Sequence, residues 1–587
     1  MDIEKIWGEY QKGTIYKQDL GRRGMYEQNR INERMYAGDQ WYGAKCGDKP
    51  LVRNNIIKRI GEYKMAVVGA SAVSVNYSAE GIPNTVGVQD TVKEAKKAYA
   101  EGAEVELPED ENTALAMSAL SDYYSTTAER LKLNDLYAAV MKHAYIGGSG
   151  VLYTYWDEAV ATGLYADAHK DIPITGDVMC QALCIENVYF GNPNEDDVQR
   201  QPYIICAERR SVKSLRDEAR RNRRPQEEID AIQPDLQIEY QPGDRSQLEL
   251  LESKKALCLT KFFKKDGTVH AVKVVRGATI RPEWDLKIRM YPFAKFDWEK
   301  RESSAYGDSE ITYLVPNQIA INRMLTASVW SVMMYGMPMM MVNRDIVGTK
   351  KITNSPGQII DVNAGSDNMT NAIQYVNPPQ LANFQNFSDA LINSTLNNAG
   401  ATDTALGNVR PDNTSAIIAA REAATTPLQL IQNRYYSFIE DAARIFAEFW
   451  IMMYGKRRIK ISDENGTWYM PFDGDKYKNA IVSAKIDIGA STLWSETQTI
   501  SVLDSLLTAG VINQKQYLER MPKGVIPDVT GLLEDLQASQ PQGEVGIADE
   551  IISQLPADQQ AQFRQLDPEM QAKLLQDAGV MQGGQMV

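Results

Sequence analysis

The chain has 587 residues, of which 43% are hydrophobic and 24% charged, and its net charge is −14 at neutral pH. This length predicts several domains, and the composition is that of a folded globular protein. The acidic balance argues against a protein whose main task is to coat nucleic acid, although local basic patches remain compatible with it. Five cysteines and the absence of a signal-peptide core at the N-terminus predict folding in a reducing cytoplasm.

The first part of the chain, residues 1–225, is predicted to mix helices and strands. Residues 1–70 are expected to be mainly helical, and apolar residues at helical spacing predict another helix over Glu109–Ile146. A β-branched run predicts a strand over Val67–Tyr77. A second strand is expected over Val151–Trp156, directly after a glycine-rich turn. Because that glycine cluster precedes a strand instead of following one, it is not a phosphate-binding loop.

A short basic helix and several strands are predicted before residue 305. Ser211–Arg224 has the pattern of the basic helix, and the charged, Pro- and Gln-rich run Arg223–Leu248 predicts a linker or mobile loop. Two strands, Ala256–Phe263 and Val269–Arg276, flank a hairpin turn signal. A further strand is expected over Ile288–Phe296.

The two longest helical patterns lie in the second half of the chain. The first, residues 306–336, opens with Asp308 or Ser309 as a cap and stops at a Gly-Met-Pro sequence. The second, residues 414–454, is expected to bend at Pro427 and carries an apolar stripe at alternating three- and four-residue steps. The stripe contains Leu428, Ile431, Tyr435, Phe438, Ile445 and Phe449. We expect it to mediate helix packing and assembly, because it needs partner helices that one chain does not supply.

Residues 352–409, between the two long helices, contain no lysine or arginine and are rich in asparagine. Proteins grip nucleic acid through Lys and Arg contacts to phosphates. A neutral to acidic polar segment therefore suits a surface past which DNA slides without sticking. An Asn-rich mixture of turns and strands that has no such role accounts for the composition equally well.

The sequence contains no recognisable catalytic or cofactor motif. It lacks a Gly-x-x-x-x-Gly-Lys-Ser/Thr loop, a Gly-x-Ser-x-Gly elbow and a His-Glu-x-x-His helix. Its histidines, His143, His169 and His270, are far apart in sequence, and Cys180 and Cys184 lack the spacing of a zinc ribbon. We therefore expect no enzymatic activity, no metal and no cofactor.

One window has the length of a membrane span, since Met324–Val342 is nineteen residues without a charge. Hydroxyl side chains and the Gly-Met-Pro break interrupt it, so a buried helix followed by a Met-rich strand is expected instead. A small β region at 459–488 then precedes helices at 495–509 and 514–520. Amphipathic segments at 547–555 and 570–578 follow, and the end of the chain is expected to be disordered. Together these elements predict a predominantly helical α+β fold.

Several short motifs lie in a fixed order along residues 30–520. They are Ala37-Gly38-Asp39-Gln40-Trp41, Asn54-Asn55-Ile56-Ile57, the helix, glycine turn and strand from Tyr124 to Trp156, Tyr306-Gly307-Asp308-Ser309-Glu310 with Gln318 and Asn322, and Gly407–Ser415. Each motif alone is a weak signal. Because the motifs occur together in this order and spacing, the chain resembles the portal, or head-to-tail connector, proteins of tailed bacteriophages. The resemblance is greatest to the longer portals of short-tailed phages.

The resemblance implies a homo-oligomeric ring of about twelve copies that surrounds a DNA channel at one capsid vertex. Its partners would be the packaging terminase, then tail or adaptor proteins, together with capsid and scaffolding proteins. Double-stranded DNA would pass through non-specifically, and no membrane would be involved. Such a ring is assembled in the host cytoplasm and ends in the virion, at the portal vertex of the capsid.

The resemblance also implies a division of the chain into regions. These are a wing (1–225), a linker with a candidate stem start and clip (226–305), a stem helix (306–336), a wing core with tunnel-loop candidates and the helix 414–454 (337–490), a crown (491–540) and a C-terminal helical tail (541–587). The tunnel loop is expected in 344–377 or in 399–412. On the second choice, the channel-lining candidates are Asn397, Asn398, Thr402, Asp403, Thr404 and Asn408.

Two other classes of protein are compatible with the sequence. A helical scaffold or minor capsid protein that never encloses DNA would use the same long helices for packing alone. A nuclease or other DNA-processing enzyme is the weaker alternative, and a metal-dependent cleavage assay would expose it.

Overall fold

A computed structural model describes residues 2–45, 50–70, 73–80, 86–100, 107–165, 173–235, 254–335, 340–342, 373–375, 382–401, 426–463, 466–488 and 493–521, and in short pieces 47, 532, 581–582 and 585–586. Helices predominate over strands, and the α+β class expected from the sequence is confirmed. The chain forms two compact units, Met1–Gly489 and Ala490–Val587.

The described helices of the first unit are α1 (Ile3–Asp19), α2 (Met25–Ala37), α3 (Ile56–Val68), α4 (Val86–Ala100), α5 (Glu109–Leu131), α6 (Leu133–Gly147), α7 (Val212–Arg221), α8 (Gln226–Ala231), α9 (Glu310–Tyr335), α10 (Ala382–Asn398), α11 (Gln429–Met453) and α12 (Gly474–Tyr477). Its strands are β1 (Val73–Ala79), β2 (Ser149–Tyr165), β3 (Pro173–Cys184), β4 (Val188–Phe190), β5 (Tyr203–Ser211), β6 (Lys255–Lys265), β7 (Thr268–Val275), β8 (Ala278–Asp285), β9 (Phe293–Asp297), β10 (Met340–Val342), β11 (Ile373–Tyr375), β12 (Lys456–Asp463), β13 (Gly466–Asp473) and β14 (Val482–Ile488).

Strands β4 to β8 form a five-stranded antiparallel sheet in chain order, with α1 on one face and α7 and α8 on the other. Successive side chains of a strand point to opposite faces, so Leu257 and Leu259 of β6 pack under α1 while Ala256 and Cys258 pack under α7. Strand β5 pairs with β6 along its whole length. The boundary expected after residue 225, between the wing and the linker, therefore falls between two strands of one sheet. Strand partners that are distant in sequence leave no local signal, so the sequence did not predict this pairing.

The predicted hairpin is confirmed. Lys265 and Thr268 are opposite each other in β6 and β7, and Asp266 and Gly267 between them have φ angles of 53° and 86°. Two central residues with positive φ are what a tight hairpin of the favoured handedness requires. The strand expected at Ile288–Phe296 is shorter, beginning at Phe293, and β8 was not predicted.

Helix α11 lies in the main hydrophobic core, where it packs against β9, α5 and α6. Phe438 makes ring contacts with Tyr137 of α6 at 5.5 Å and with Phe296 of β9 at 6.0 Å. Trp450 meets Tyr123 of α5 at 5.2 Å.

The stripe predicted for assembly lies on this helix and at its start, and the chain itself covers it. Leu428, Tyr435, Phe438, Ile445 and Phe449 are buried, and Ile431 is partly buried against the same core. Helix packing is therefore their role in the folded chain. The expectation that these side chains need helices from other copies is wrong, because elements of the same chain, including α6 and β9, pack against the stripe.

Several predicted boundaries differ from the structure. Helix α11 begins at Gln429 after a 3₁₀ turn over Thr426–Leu428, while residues 414–425 lie outside the described residues. Proline has no amide hydrogen to donate, which explains the irregular turn around Pro427. The long helical pattern from Glu109 divides at Lys132, whose φ is 50°, and α3 continues to Val68 where a strand was expected.

The asparagine-rich segment contains a helix that the sequence did not predict, α10. Asparagine favours turns over helix interiors. Tertiary packing overrides that preference here, because Ser388, Thr395 and Leu396 lie on the buried face of the helix. The Met-rich strand is confirmed as β10, which pairs with β11.

The second unit contains the two helices predicted after residue 490, α13 (Leu493–Thr508) and α14 (Gln514–Glu519). A reciprocal capping box between Asn513 and Gln516 begins α14. Strands β15 (Met581–Gln582) and β16 (Gln585–Met586) pair near the C-terminus. The expectation of disorder at the end of the chain stays a prediction. The amphipathic segments at 547–555 and 570–578 lie outside the described residues.

Candidate functional site

Four of the five motifs that carry the resemblance come together around the N-terminal half of α9, and the fifth, Gly407–Ser415, lies outside the described residues. Ser309 caps the helix by accepting from the Ile311 amide at 3.2 Å, and its hydroxyl donates to the carbonyl of Tyr145 at 2.6 Å. Next to it, the Ser149 hydroxyl accepts from the Gly307 amide at 2.8 Å and donates to Asp297 at 2.6 Å. The glycine turn after α6 and the segment before α9 are thus joined by hydrogen bonds.

Two glycines let these segments approach backbone to backbone. A Cβ atom added at Gly148 would lie 2.2 Å from the carbonyl oxygen of Gly307, and one added at Gly307 would lie 2.7 Å from that of Gly148. Gly148 also has a φ of 88°, which side chains disfavour. The glycine turn therefore serves close packing, as its position before a strand suggested.

A partly buried ion pair fixes the first turn of α9. One carboxylate oxygen of Glu310 accepts from Lys64 of α3 at 2.6 Å, and the other accepts from the Trp298 indole at 3.1 Å. Arg301 pairs with Asp308 just before the helix. Because both oxygens of Glu310 are satisfied, this carboxylate orients α9 against α3 and β9.

A row of amide and hydroxyl side chains continues along the same helix. The polar row consists of Gln318, Asn322 and Thr326, which lie four residues apart and therefore share one face. Gln318 accepts from the amides of Ile56 and Ile57 at 3.0 and 3.3 Å. It also donates to the Asn54 carbonyl at 2.5 Å.

The other two members extend these contacts to the preceding loop. Asn322 accepts from the Asn54 amide at 3.1 Å and donates to Gln40 at 2.5 Å, and Thr326 accepts from the Val52 amide at 3.1 Å. The polar row therefore satisfies backbone groups of the extended segment before α3, which has no strand partner there among the described residues. The motifs around Gln40, Asn54 and Gln318 act as one anchor for α9.

The C-terminal turns of α9 differ sharply from its anchored half. Val329, Val332, Met333 and Met334 are 38, 52, 62 and 50% exposed. The expectation of a buried helix over this window is therefore wrong for the last turns of α9. Among the described helices, none is long and apolar enough to cross a bilayer.

Helix α10 packs beside α9, with the Asn317 amide donating to the Thr395 hydroxyl at 3.2 Å. Its last residues, Asn397 and Asn398, are exposed. The other predicted channel-lining residues, Thr402, Asp403, Thr404 and Asn408, lie outside the described residues, as does most of the alternative segment 344–377.

Three of the described cysteines have thiols that are poor nucleophiles in this fold. Burial raises the pKa of the Cys180, Cys184 and Cys258 thiols to about 12, so they stay protonated at neutral pH. Within the described part of the chain, no group of three or more His, Cys, Asp or Glu residues is arranged to hold a metal ion.

The sequence did not single out a buried charged group at the end of α1. Lys17 is fully buried and donates to the carbonyls of Ile185, Glu186 and Val188 at 2.7, 2.9 and 2.7 Å. Burial lowers the pKa of Lys17 well below its usual value and raises that of the Glu186 carboxyl to about 7. The sequence did contain a signal for the burial of Lys17, because this residue falls on the same helical stripe as Ile6 and Tyr10.

No protein-family model matches the chain, and no curated protein is significantly similar to it.

Proposed function

We propose that this chain is the subunit of a portal-type ring at one vertex of a phage capsid. The ring would be the channel for DNA packaging and ejection. It would dock the packaging terminase first and tail or adaptor proteins later. It would act without catalysis of its own.

The observation that carries the proposal is the division of α9 into two halves. Its first half is held by a capped start, an ion pair and the polar row. Its last turns present large apolar side chains to solvent. An exposed apolar patch of this kind commonly marks an interface, and a ring of identical subunits offers a matching surface at every copy.

Two further observations support the same function. The described motifs on which the resemblance to portals rests, those around Gln40, Asn54 and Gln318, meet at one anchor although they are far apart in sequence. The acidic net charge and the cation-free run 352–409 suit a channel that DNA passes without binding tightly.

The test is the oligomeric state of the purified full-length chain, measured by mass photometry and negative-stain electron microscopy. We expect closed rings of about twelve copies with a central hole of duplex width. A monodisperse monomer at micromolar concentration would refute the proposal. Assemblies without a central hole would favour the scaffold or minor capsid alternative.

A matched pair of variants tests the role of α9. Val332→Ser/Met333→Ser should weaken each subunit interface by about 2 kcal/mol, since both side chains lose apolar area buried on assembly. Rings should then dissociate at concentrations where the unmodified chain assembles. The control, Ile15→Ser/Ile481→Ser, removes comparably exposed apolar side chains elsewhere and should leave the rings intact. Equal loss of rings in both variants would contradict the assignment to α9.

A further inference from the structure

The surface beside α7 carries a concentration of positive charge for which the proposed ring has no use. Residues 209–224 contain eight lysines and arginines and two carboxylates, in a chain whose net charge is −14. A cavity of about 440 Å³ lies there, and it is lined by Ser211, Val212, Lys213, Arg216, Arg220 and Lys254. Four of these side chains are cationic, and none is a carboxylate. We call this cavity the α7 pocket.

The framework of the α7 pocket is fixed by hydrogen bonds. The Val212 amide donates to the Lys254 carbonyl at 2.9 Å, which ties the start of α7 to the start of β6. The Arg216 guanidinium donates to the Ile232 carbonyl at 2.7 Å. Buried Leu215 and Ala219 hold the opposite face of α7 on the sheet. The cations are therefore presented from a rigid base.

Two nearby carboxylates are already engaged in ion pairs, one with cations outside the pocket and one with Arg220 of the pocket itself. Glu218 pairs with Arg210 at 2.7 Å and Lys273 at 2.9 Å. Asp217 pairs with Arg220 at 2.8 Å. Lys213 and Lys254 are exposed and have no charged partner among the described residues. Arg216 has only a neutral carbonyl as its described partner, so the described residues leave the charges of Lys213, Arg216 and Lys254 uncompensated.

We propose that the α7 pocket binds phosphate groups. A phosphate presents three or four oxygens in a tetrahedral arrangement, so one group can contact several converging cations at once. A guanidinium held in one orientation suits such an anion better than a mobile ammonium does. A carboxylate has two oxygens in a plane and would leave part of this charge uncompensated. The phosphate would come from a free phosphate or nucleotide, or from a nucleic-acid backbone.

Isothermal titration calorimetry of the full-length chain distinguishes these sources. Inorganic phosphate, a short DNA duplex and polyglutamate are titrated separately at matched ionic strength in chloride. The test variant is Lys213→Gln/Lys254→Gln, and the control is Lys58→Gln/Lys476→Gln, which removes two exposed lysines elsewhere. Because all four lysines are exposed, both variants should unfold at the same temperature as the unmodified chain, which circular dichroism checks.

We expect phosphate to bind the unmodified chain and the control equally, and the test variant at least about tenfold more weakly. If a nucleic-acid backbone is the source, DNA also binds, and the test variant lowers the slope of log K against log salt by about two. Phosphate binding without DNA binding assigns the pocket to small phosphates.

Three results would overturn the proposal. The first is the absence of phosphate binding beyond that of chloride. The second is phosphate or DNA binding that the test variant leaves unchanged, since the site would then lie elsewhere. The third is polyglutamate binding that is as tight per charge as phosphate binding, because the surface would then recognise acidic polypeptides.

Discussion

Replacing Gln318 by methionine should destabilise the start of α3 while preserving the volume of the side chain. Gln318 is 1% exposed, and its amide makes four hydrogen bonds, to Ile56, Ile57, Asn54 and Asn322. Methionine fills the same space with no polar atom that could replace them.

The magnitude follows from which groups lose their last partner. The Ile56 amide keeps a bond to the Asn54 carbonyl at 2.9 Å, and the Asn322 oxygen keeps the Asn54 amide. The Ile57 amide has no other partner among the described residues, and a buried orphaned donor costs about 1 to 3 kcal/mol. The lost hydrogen bonds to Ile56, Asn54 and Asn322 contribute less, and in total we expect the free energy of unfolding to fall by about 3 kcal/mol.

Amide hydrogen exchange by mass spectrometry reports this change locally, and denaturant unfolding reports it globally. Exchange at the start of α3 should accelerate about a hundredfold, since each 1.4 kcal/mol is about a factor of ten. The control is Gln11→Met at an exposed position of α1, for which we expect a change within about 0.5 kcal/mol. If the two variants unfold and exchange alike, the polar row does not hold α3.

Two further predictions concern the glycine contact and the buried carboxyl. Gly148→Ala should lower the free energy of unfolding by about 1 to 3 kcal/mol more than Gly267→Ala does. Both glycines have a similar positive φ, but of the two only Gly148 lies against a carbonyl oxygen. Equal melting temperatures of the two variants would contradict the importance of this contact. Burial raises the pKa of Glu186 to about 7 from 4.5, so the folded chain keeps a proton that the unfolded chain releases, and the free energy of unfolding should fall as pH rises through that window. This fall in the free energy of unfolding should amount to about 3 kcal/mol, and the variant Glu186→Gln should not show it. If denaturant unfolding gives parallel pH profiles for the variant and the unmodified chain, the predicted role of Glu186 is refuted.

The sequence by itself determined the elements whose signals are local. The sequence predicted the hairpin between β6 and β7, the basic helix α7, the start of α9 with Asp308 or Ser309 as its cap, and the helices of the second unit. Each depends on residues within a few positions of one another, such as a cap, a two-residue turn or a helical repeat. Such interactions form within a short stretch of chain, so the sequence displays them directly.

Only the tertiary structure decided which surfaces are covered. The apolar stripe of α11 has the same period whether β9 and α6 of its own chain or another copy packs against it, so its burial could not be predicted. The last turns of α9 have a similar apolar pattern yet remain exposed. The polar row joins Gln318 to Asn54, which are 264 positions apart, and burial turns these ordinary amides into an anchor. Periodicity shows which face of a helix is apolar, but the partner that removes that face from water is set by contacts between segments distant in sequence.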